Sequence, residues 1–312
     1  MDPVEWLLAG DPAVRWQTMR DLASCSAADY EMERNRVAQE GWGAQLLALQ
    51  APNGRWGNGL YSPKWTSTFY TMQLLRLLGL PRENPQAILA SHVIVQEFLR
   101  PDGGLRQGHN MSPREPGETC ITGMGLATLG YFLASEERLA LLVENLLREQ
   151  MPDGGWNCQY RRGATHASFN TTILALEGLL QWERAVGGTP EVTAARKRGE
   201  ELLLRHRLFR SHTTGAIIRK QFTMLSFPGR WHYDILRALE YLAEAQAERD
   251  ERAAEAIALV ASKRRADGAW PVQQRHSGLA FFEMEPTGSS SRWNTLRALR
   301  VMRWWEGGAA GT

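Results

Sequence analysis

The phrase Pro52-Asn53-Gly54-Arg55-Trp56 returns along the chain at nearly even intervals. Its later copies read PDGGL at 101–105, PDGGW at 152–156 and ADGAW at 266–270. The first three copies start about 50 residues apart, and the last gap leaves room for one copy that lacks the phrase. A glycine-containing turn with this period predicts an array of similar supersecondary units.

A loop and then a helix of one recurring kind follow each turn. These inner helices are predicted near residues 12–23, 65–79, 119–133, 168–184, 231–245 and 291–305. More charged helices with one apolar side alternate with them. These outer helices are predicted over residues 84–99, 135–150, 191–205 and 247–263. The alternation predicts an all-α fold, an (α/α)6 toroid of six inner and about six outer helices, in one domain over residues 1–312.

The first and last inner helices have similar sequences, RWQTMRDL at 15–22 and RWNTLRAL at 292–299. A toroid that closes head to tail would make these two helices neighbours. The alternative is an open solenoid, which needs polar capping repeats at its ends. Both ends of this chain are instead bulky and apolar, with Trp16 near one and Trp304 and Trp305 near the other.

The composition excludes several classes of protein. The 312 residues are 43% hydrophobic and 22% charged, with a formal net charge of +2. This balance argues against a strong field for nucleic acid or an anionic membrane. No apolar run is long enough for a membrane span, and the acidic start is unlike a signal peptide. Three cysteines indicate a reducing compartment. We expect a cytoplasmic protein without a transmembrane segment or a nucleic-acid partner.

Two copies of the turn, QAPNGRW at 50–56 and QMPDGGW at 150–156, read Q-x-x-x-G-x-W. This pattern resembles the QW motif of squalene and hopene cyclases, and the same repeat type occurs in protein prenyltransferase β subunits. The resemblance implies an α/α toroid and an isoprenoid-like substrate. In the turn, the glutamine would bond backbone groups at a helix end, the glycine would permit the bend, and the tryptophan would pack between outer helices. The D-x-D-D and D-D-x-x-D motifs of terpenoid chemistry are absent, which disfavours proton-initiated cyclisation.

The prenyltransferase resemblance also implies a zinc site. Those β subunits bind zinc with an Asp-x-Cys pair at one inner-helix start and a histidine at a later one. Here Glu118-Thr119-Cys120 begins the third inner helix. Thiolates and imidazoles suit Zn²⁺, although a buried apolar role or a helix cap is commoner for any one such residue. The predicted metal ligands are Cys120, Cys158, His166 and His232.

Carboxylates at the starts of inner helices are the candidate catalytic groups. Glu118 is predicted as a general acid beside Cys120, with Asp234 as a second carboxylate, although helix capping is the commoner role of such an aspartate. Glu285 is a further candidate. Basic residues in the loops ahead of the inner helices would suit an anionic group of a substrate, whereas tryptophans would line an apolar cavity. The predicted substrate-binding residues are His109, Arg161, Arg230, Trp231 and Trp293.

These features predict a metal-dependent enzyme that transfers or cyclises an apolar, isoprenoid-like small molecule in a central cavity. One alternative is a toroid without catalytic activity that binds a lipid-like ligand or a protein partner. A further alternative is a carbohydrate-active toroid, which needs two opposed carboxylates such as Glu118 and Asp234. The turn phrase disfavours that alternative.

Overall fold

The computed structural model describes residues 2–57, 59–107 and 115–307. Its α-helices are α1 Pro3–Leu8, α2 Pro12–Asp21, α3 Ala27–Asn35, α4 Gly41–Leu47, α5 Thr68–Leu78, α6 Pro85–Phe98, α7 Thr119–Phe132, α8 Leu139–Arg148, α9 Phe169–Val186, α10 Pro190–Arg205, α11 Ile235–Glu244, α12 Ala254–Ser262 and α13 Arg292–Trp305. Short 3-10 turns lie at Arg36–Ala38, Tyr160–Arg162, Lys220–Thr223 and Glu251–Ala253. The described strands are β1 Trp270–Pro271 and β2 Ser290–Ser291, which pair antiparallel.

The predicted all-α class is confirmed, and the six predicted inner helices correspond to α2, α5, α7, α9, α11 and α13. The largest shift is in α11, which begins at Ile235 and not at 231, because Asp234 caps its first turn by accepting from the Arg237 N–H. His232 therefore lies in the loop ahead of the helix. The outer helix predicted over 247–263 is also shorter and spans Ala254–Ser262.

The helices fall into two compact units. The first comprises Met1–Leu49, Leu77–Pro81 and Leu204–Thr312, and the second comprises Gln50–Arg76 and Arg82–Leu203. The organisation of residues 1–312 as a single domain stays a prediction. Within the described part of the chain, no helix has the length and apolar character needed to cross a membrane.

In the first unit, the two ends of the chain pack against each other through α2 and α13. The Arg300 guanidinium donates to the Gln17 side-chain oxygen at 2.7 Å and forms an ion pair with Asp21. Arg303 donates to the Asp21 carbonyl at 2.6 Å. The first and last inner helices are thus neighbours, as their similar sequences predict, whereas an open solenoid would keep them apart.

In the second unit, α7 and α9 pack with their backbones unusually close. A Cβ atom added to Gly178 would lie 2.5 Å from the Gly123 carbonyl oxygen, and one added to Gly123 would lie 2.7 Å from the Leu174 backbone. Only glycine leaves room for this approach. The contact sets how near the N-terminal ends of these two helices lie, and the candidate site is built there.

The four repeated turns share one pattern of hydrogen bonds. In each, the glycine N–H donates at 2.9 Å to the carbonyl three residues earlier. The glycines have positive φ, from 79° at Gly54 to 98° at Gly154, which disfavours any side chain. The last residue of each phrase then donates its backbone N–H to a threonine hydroxyl of the next inner helix. These pairs are Trp56 with Thr68 at 3.0 Å, Leu105 with Thr122 at 2.9 Å, Trp156 with Thr172 at 3.0 Å and Trp270 with Thr295 at 2.9 Å.

Each glutamine of the turn phrase ties its turn to an outer helix. Gln50 donates to the Gly54 carbonyl at 3.0 Å and to the Gln86 carbonyl of α6 at 2.9 Å. Gln150 donates in the same way to the Gly154 carbonyl at 2.7 Å and to the Ala195 carbonyl of α10 at 2.8 Å. The glutamine and glycine residues of the turn therefore serve to hold backbone segments in place.

Candidate functional site

Two of the three cysteines meet at the N-terminal ends of α7 and α9. Cys120 is the second residue of α7, and Cys158 lies in the loop that follows the turn at 152–156. Their side chains share a hydrogen bond. The Cys158 backbone N–H donates to the Thr171 hydroxyl of α9 at 3.3 Å, which ties the loop to that helix. The close packing of α7 on α9 thus brings together two thiols from different repeats.

The environment drives the pKa values of the two thiols in opposite directions. The hydrogen bond from Cys120 lowers the pKa of Cys158 to about 6; burial opposes this effect, while hydrogen bonds with Thr171 and Gln159 add to it. The same hydrogen bond raises the pKa of Cys120 well above its ordinary value, and burial raises it further. The pair at neutral pH is therefore a Cys158 thiolate that accepts a hydrogen bond from the Cys120 thiol.

An aromatic cluster of the preceding repeat lies beside this region through Tyr61. The Tyr61 and Tyr70 hydroxyls are hydrogen-bonded at 2.9 Å, and the Trp65 ring meets the Tyr70 ring edge-on at 4.8 Å. Burial raises the pKa of Tyr61; its hydrogen bond with Tyr70 opposes this effect, and electrostatic interactions with Cys120, Glu118 and Cys158 raise the pKa further. That electrostatic influence places Tyr61 in the surroundings of the thiol pair.

Glu118 precedes α7 and lies close enough to raise the pKa of both thiols. Its carboxylate makes no cap hydrogen bond to α7, and it lies 3.8 Å from the Arg106 guanidinium. Arg106 lies closer to Glu115, at 3.0 Å. The structure thus places Glu118 beside Cys120. The role of Glu118 as a general acid stays a prediction.

The predicted metal ligands are only partly assembled. Cys120 and Cys158 are together, but His166 is exposed and its backbone carbonyl accepts a hydrogen bond from Asn157 at 2.8 Å. His232 belongs to the first unit. Among residues 2–57, 59–107 and 115–307, no group of three or more His, Cys, Asp and Glu side chains is arranged to hold a metal ion. Two thiols alone do not make a zinc site, which needs at least three protein ligands. The zinc site stays a prediction.

In the first unit, Asp234 is a buried structural carboxylate. It is 2% exposed, and it accepts from the Ser226 hydroxyl at 2.7 Å and from the Arg237 N–H at 2.8 Å. These bonds cap α11, which is the commoner role that the sequence allows for it. Its predicted catalytic role is not tested by this geometry.

His232 lies in a stack of three rings ahead of α11. Its ring centroid is 3.7 Å from that of Trp231 and 3.6 Å from that of His276. Burial lowers the pKa of His276 to about 4; the Asp234 carboxylate opposes this shift, and Arg230 and Arg237 add to it. A neutral His276 therefore stacks on His232 at neutral pH.

The predicted substrate-binding residues have different surroundings. His109 lies outside the described residues. Arg161 forms ion pairs with Asp102 at 3.0 Å and with Glu149, so that its charge is balanced within the second unit. Arg230 has a left-handed backbone with φ 54°. Trp293 is 1% exposed and stacks on Phe227 at 4.9 Å. Their binding role stays a prediction.

Sequence reasoning missed Tyr61, Thr171 and the glycine contact between α7 and α9. Thr171 is next to Thr172, whose hydroxyl accepts a hydrogen bond from the turn. This position in the repeat is the signal that could have identified it. Gly123 and Gly178 are interior glycines of strongly apolar helices, which is a signal of close packing. Tyr61 carried no comparable signal in the sequence.

No family model matches the chain, and no curated protein matches it. Among solved structures, it is similar to a protein from Actinoplanes, with 18% identity over 88% of each chain and a TM-score of 0.47. It is also similar to the type II terpene cyclase MstE from Scytonema in its apo form, with 14% identity, a TM-score of 0.48 and coverage of 97% of this chain and 98% of that one.

A variant of MstE in complex with its substrate, geranylgeranyl dihydroxybenzoate, is 17% identical with a TM-score of 0.48, over 94% of this chain and 86% of that one. At this level of identity and TM-score, the likeness assigns no activity to the present chain.

Proposed function

We propose that the protein is an enzyme that transfers an apolar, isoprenoid-like group, and that Cys158 is its nucleophile. The observation that carries the proposal is the hydrogen bond between the Cys120 and Cys158 thiols at the junction of two repeats. It gives the two cysteines distinct roles, one as an attacking sulfur and the other as its hydrogen-bond donor.

The thiolate is the reactive form of cysteine, and a thiol neighbour that donates to it favours that form. Cys158 is partly accessible and lies on a loop, whereas Cys120 is held at the start of a helix. The low pKa of Cys158 supports the assignment of the nucleophile to Cys158. Loops held by a rigid helical frame are common positions for reactive groups.

We infer the substrate class from the aromatic side chains beside the thiols and from the sequence. Tyr61, Trp65 and Tyr70 form an aromatic cluster beside the thiols, and Phe69 packs on Phe98 with ring centroids 5.7 Å apart. Aromatic faces suit an apolar chain and also a carbon that gains positive charge. The resemblance of the turns to those of the cyclase and prenyltransferase families adds the isoprenoid-like character.

The proposed step is a displacement. The Cys158 sulfur forms a bond to the activated carbon of the substrate while the bond from that carbon to the leaving group breaks, and the leaving group takes the electron pair. The Cys120 thiol keeps its proton throughout. An acceptor molecule then attacks the same carbon, and its electron pair replaces the bond to sulfur, which restores the Cys158 thiolate.

Intact-protein mass spectrometry after incubation with geranylgeranyl diphosphate tests the proposal. We expect one geranylgeranyl adduct per chain, located at Cys158 by peptide mapping and absent from Cys158→Ser. Cys120→Ala keeps the adduct but forms it more slowly, because the Cys158 sulfur loses its hydrogen-bond donor. Cys25→Ser is the matched control, since Cys25 is also partly accessible but belongs to the first unit, and it reacts like the wild type.

Two results would overturn this function. An adduct that forms equally well in Cys158→Ser would mean that the sulfur is not the nucleophile. Saturable binding of geranylgeraniol, with intact ligand recovered and no turnover or adduct from the diphosphate, would favour the binding protein without catalytic activity.

Zinc is tested separately by elemental analysis of the wild type, Cys120→Ser and Cys158→Ser. About one zinc per chain in the wild type and none in either variant would support the metal site, because loss of one thiolate ligand weakens a zinc site strongly.

A further inference from the structure

The first unit contains a basic pocket in the connection between α10 and α11. Its volume is about 760 Å³, which lies within the range of small-molecule sites. Neither the thiol pair nor any predicted site residue lines it. Its charged and titratable lining consists of four arginines, two histidines and one carboxylate: Arg205, Arg207, Arg210, Arg252, His206, His212 and Glu255.

The carboxylate in the wall does not cancel the basic charge. Arg210 holds Glu255 with two hydrogen bonds from its Nε atom, at 2.7 and 2.9 Å. Arg252 pairs with the Asp250 carboxylate at 2.7 Å. The exposed side chains of Arg205 and Arg207 also line the pocket. The lining thus holds four guanidinium groups and one carboxylate.

The backbone that carries these arginines is in a costly conformation. Arg207 and Leu208 both have left-handed backbones, with φ of 46° and 67°. Non-glycine residues rarely adopt two such conformations in succession, and they persist only where the surroundings hold them. Here Leu208 is fully buried and its carbonyl accepts from the Tyr233 hydroxyl at 2.6 Å. The bend ends α10 and brings three arginines of one short segment to the same pocket.

The two histidines are linked in the same wall. His206 Nδ1 lies 2.9 Å from the Arg210 carbonyl, and His206 Nε2 lies 3.1 Å from His212 Nδ1. A carbonyl only accepts, so His206 Nδ1 carries a proton and donates to it. His206 Nε2 then accepts from a proton on His212 Nδ1 when His206 is neutral. Both ring nitrogens of His206 are thus occupied by contacts within the wall.

We propose that this pocket binds a small organic phosphate. Guanidinium groups match the oxygens of phosphate in charge and geometry, and several converging arginines favour a group with more than one negative charge. The pocket is a half-open concavity lined by a few residues of one segment and its neighbours, which suits a small molecule, whereas a nucleic-acid backbone needs an extended basic surface. This inference is independent of the thiol chemistry proposed above.

Isothermal titration calorimetry of the full chain with inorganic diphosphate and with adenosine diphosphate tests the proposal. We expect one saturable site per chain for both probes. The double variant Arg205→Gln and Arg207→Gln should bind at least about tenfold more weakly, since each lost charge-assisted contact weakens binding. Tighter binding of adenosine diphosphate would show that the pocket also contacts the organic part, and equal binding would show that it contacts the phosphate groups alone. Both outcomes support the proposal.

The matched control is Arg275→Gln, because Arg275 is an exposed arginine of the same unit that pairs with Glu283 outside the pocket. It should bind both probes like the wild type, and circular dichroism should show that all variants remain folded. The proposal is overturned by the absence of saturable binding or by equal affinity in the double variant. A single-stranded oligonucleotide that binds more tightly than both probes through the same arginines would also overturn it.

Discussion

The Cys120 thiol donates a hydrogen bond to Cys158 across the junction of α7 and α9. The two residues belong to successive repeats, so that neither repeat holds the pair alone. Both side chains are partly exposed, but the donor is fixed at a helix start, whereas the acceptor lies on a loop. This asymmetry distinguishes the pair from two thiols that merely lie close together.

Removal of the Cys120 thiol should make Cys158 less acidic. In Cys120→Ala, the pKa of Cys158 should rise from about 6 toward the ordinary cysteine value of about 8.5, because its strongest stabilising contact is lost. The measurement is the pH dependence of iodoacetamide labelling at Cys158, followed by peptide mass spectrometry. An unchanged midpoint would contradict the hydrogen bond, and Cys25→Ala should leave the midpoint where it is.

The contact between α7 and α9 should tolerate no side chain at Gly178. Gly178→Ala places a methyl group 2.5 Å from the Gly123 carbonyl oxygen, and we expect a loss of about 1–3 kcal/mol of unfolding free energy. Gly130→Ala is the control, because its nearest neighbour lies 3.6 Å away and a helical alanine is favoured. Urea denaturation should show opposite signs for the two variants, and a stabilised Gly178→Ala would contradict the packing.

The threonines whose hydroxyls accept hydrogen bonds from the turns should be important for stability. Thr172→Val keeps the shape of the side chain but removes the acceptor of the buried Trp156 N–H, at an expected cost of about 1–3 kcal/mol. Thr165→Val changes an exposed threonine in a loop of the same unit and should stay within about 0.5 kcal/mol. Thermal and urea denaturation measure both. Equal stability of the two variants would mean that the turn does not depend on this bond.

His276 should make the protein less stable in weak acid. Its pKa falls from 6.5 to about 4 on folding, so between these pH values the unfolded chain binds a proton that the folded chain does not. Stability therefore declines as the pH is lowered through this window. His276→Phe keeps a ring on His232 and removes the titration, so its melting temperature should fall less than that of the wild type between pH 6.5 and 4. Parallel curves would contradict the prediction. The charges that shift the pKa of His276 are the same in the wild type and in the variant; they belong to Asp234, Arg230 and Arg237.

The period of the turn was enough to predict the helical framework. Glycines with positive φ recur at Gly54, Gly103, Gly154 and Gly268, and an inner helix follows each of them. The similar first and last inner helices also predicted the contact of α2 with α13, because neighbouring helices in a repeat array share the same packing surface. These features depend on short-range rules of backbone conformation and apolar spacing.

The site was less predictable. Repeat position favoured Cys120 and Cys158 as a pair, and they do meet, but the same reasoning joined them to His166, which is exposed. Position along a repeat fixes where a loop begins and not where its side chains point. Arg161 illustrates the same difficulty, since a loop arginine suited to an anionic substrate is paired with Asp102 and Glu149.

The sequence by itself determined the turns, the order of the helices and their alternation, because glycine conformation, capping and apolar periodicity act within a few residues of each other. Only the tertiary structure decided that the Cys120 thiol donates a hydrogen bond to the Cys158 sulfur. Their contact depends on how closely the backbones of α7 and α9 approach at Gly123 and Gly178, and on burial that separates the two pKa values. Those effects arise from atoms far apart in the chain, and they exist only after the repeats have packed.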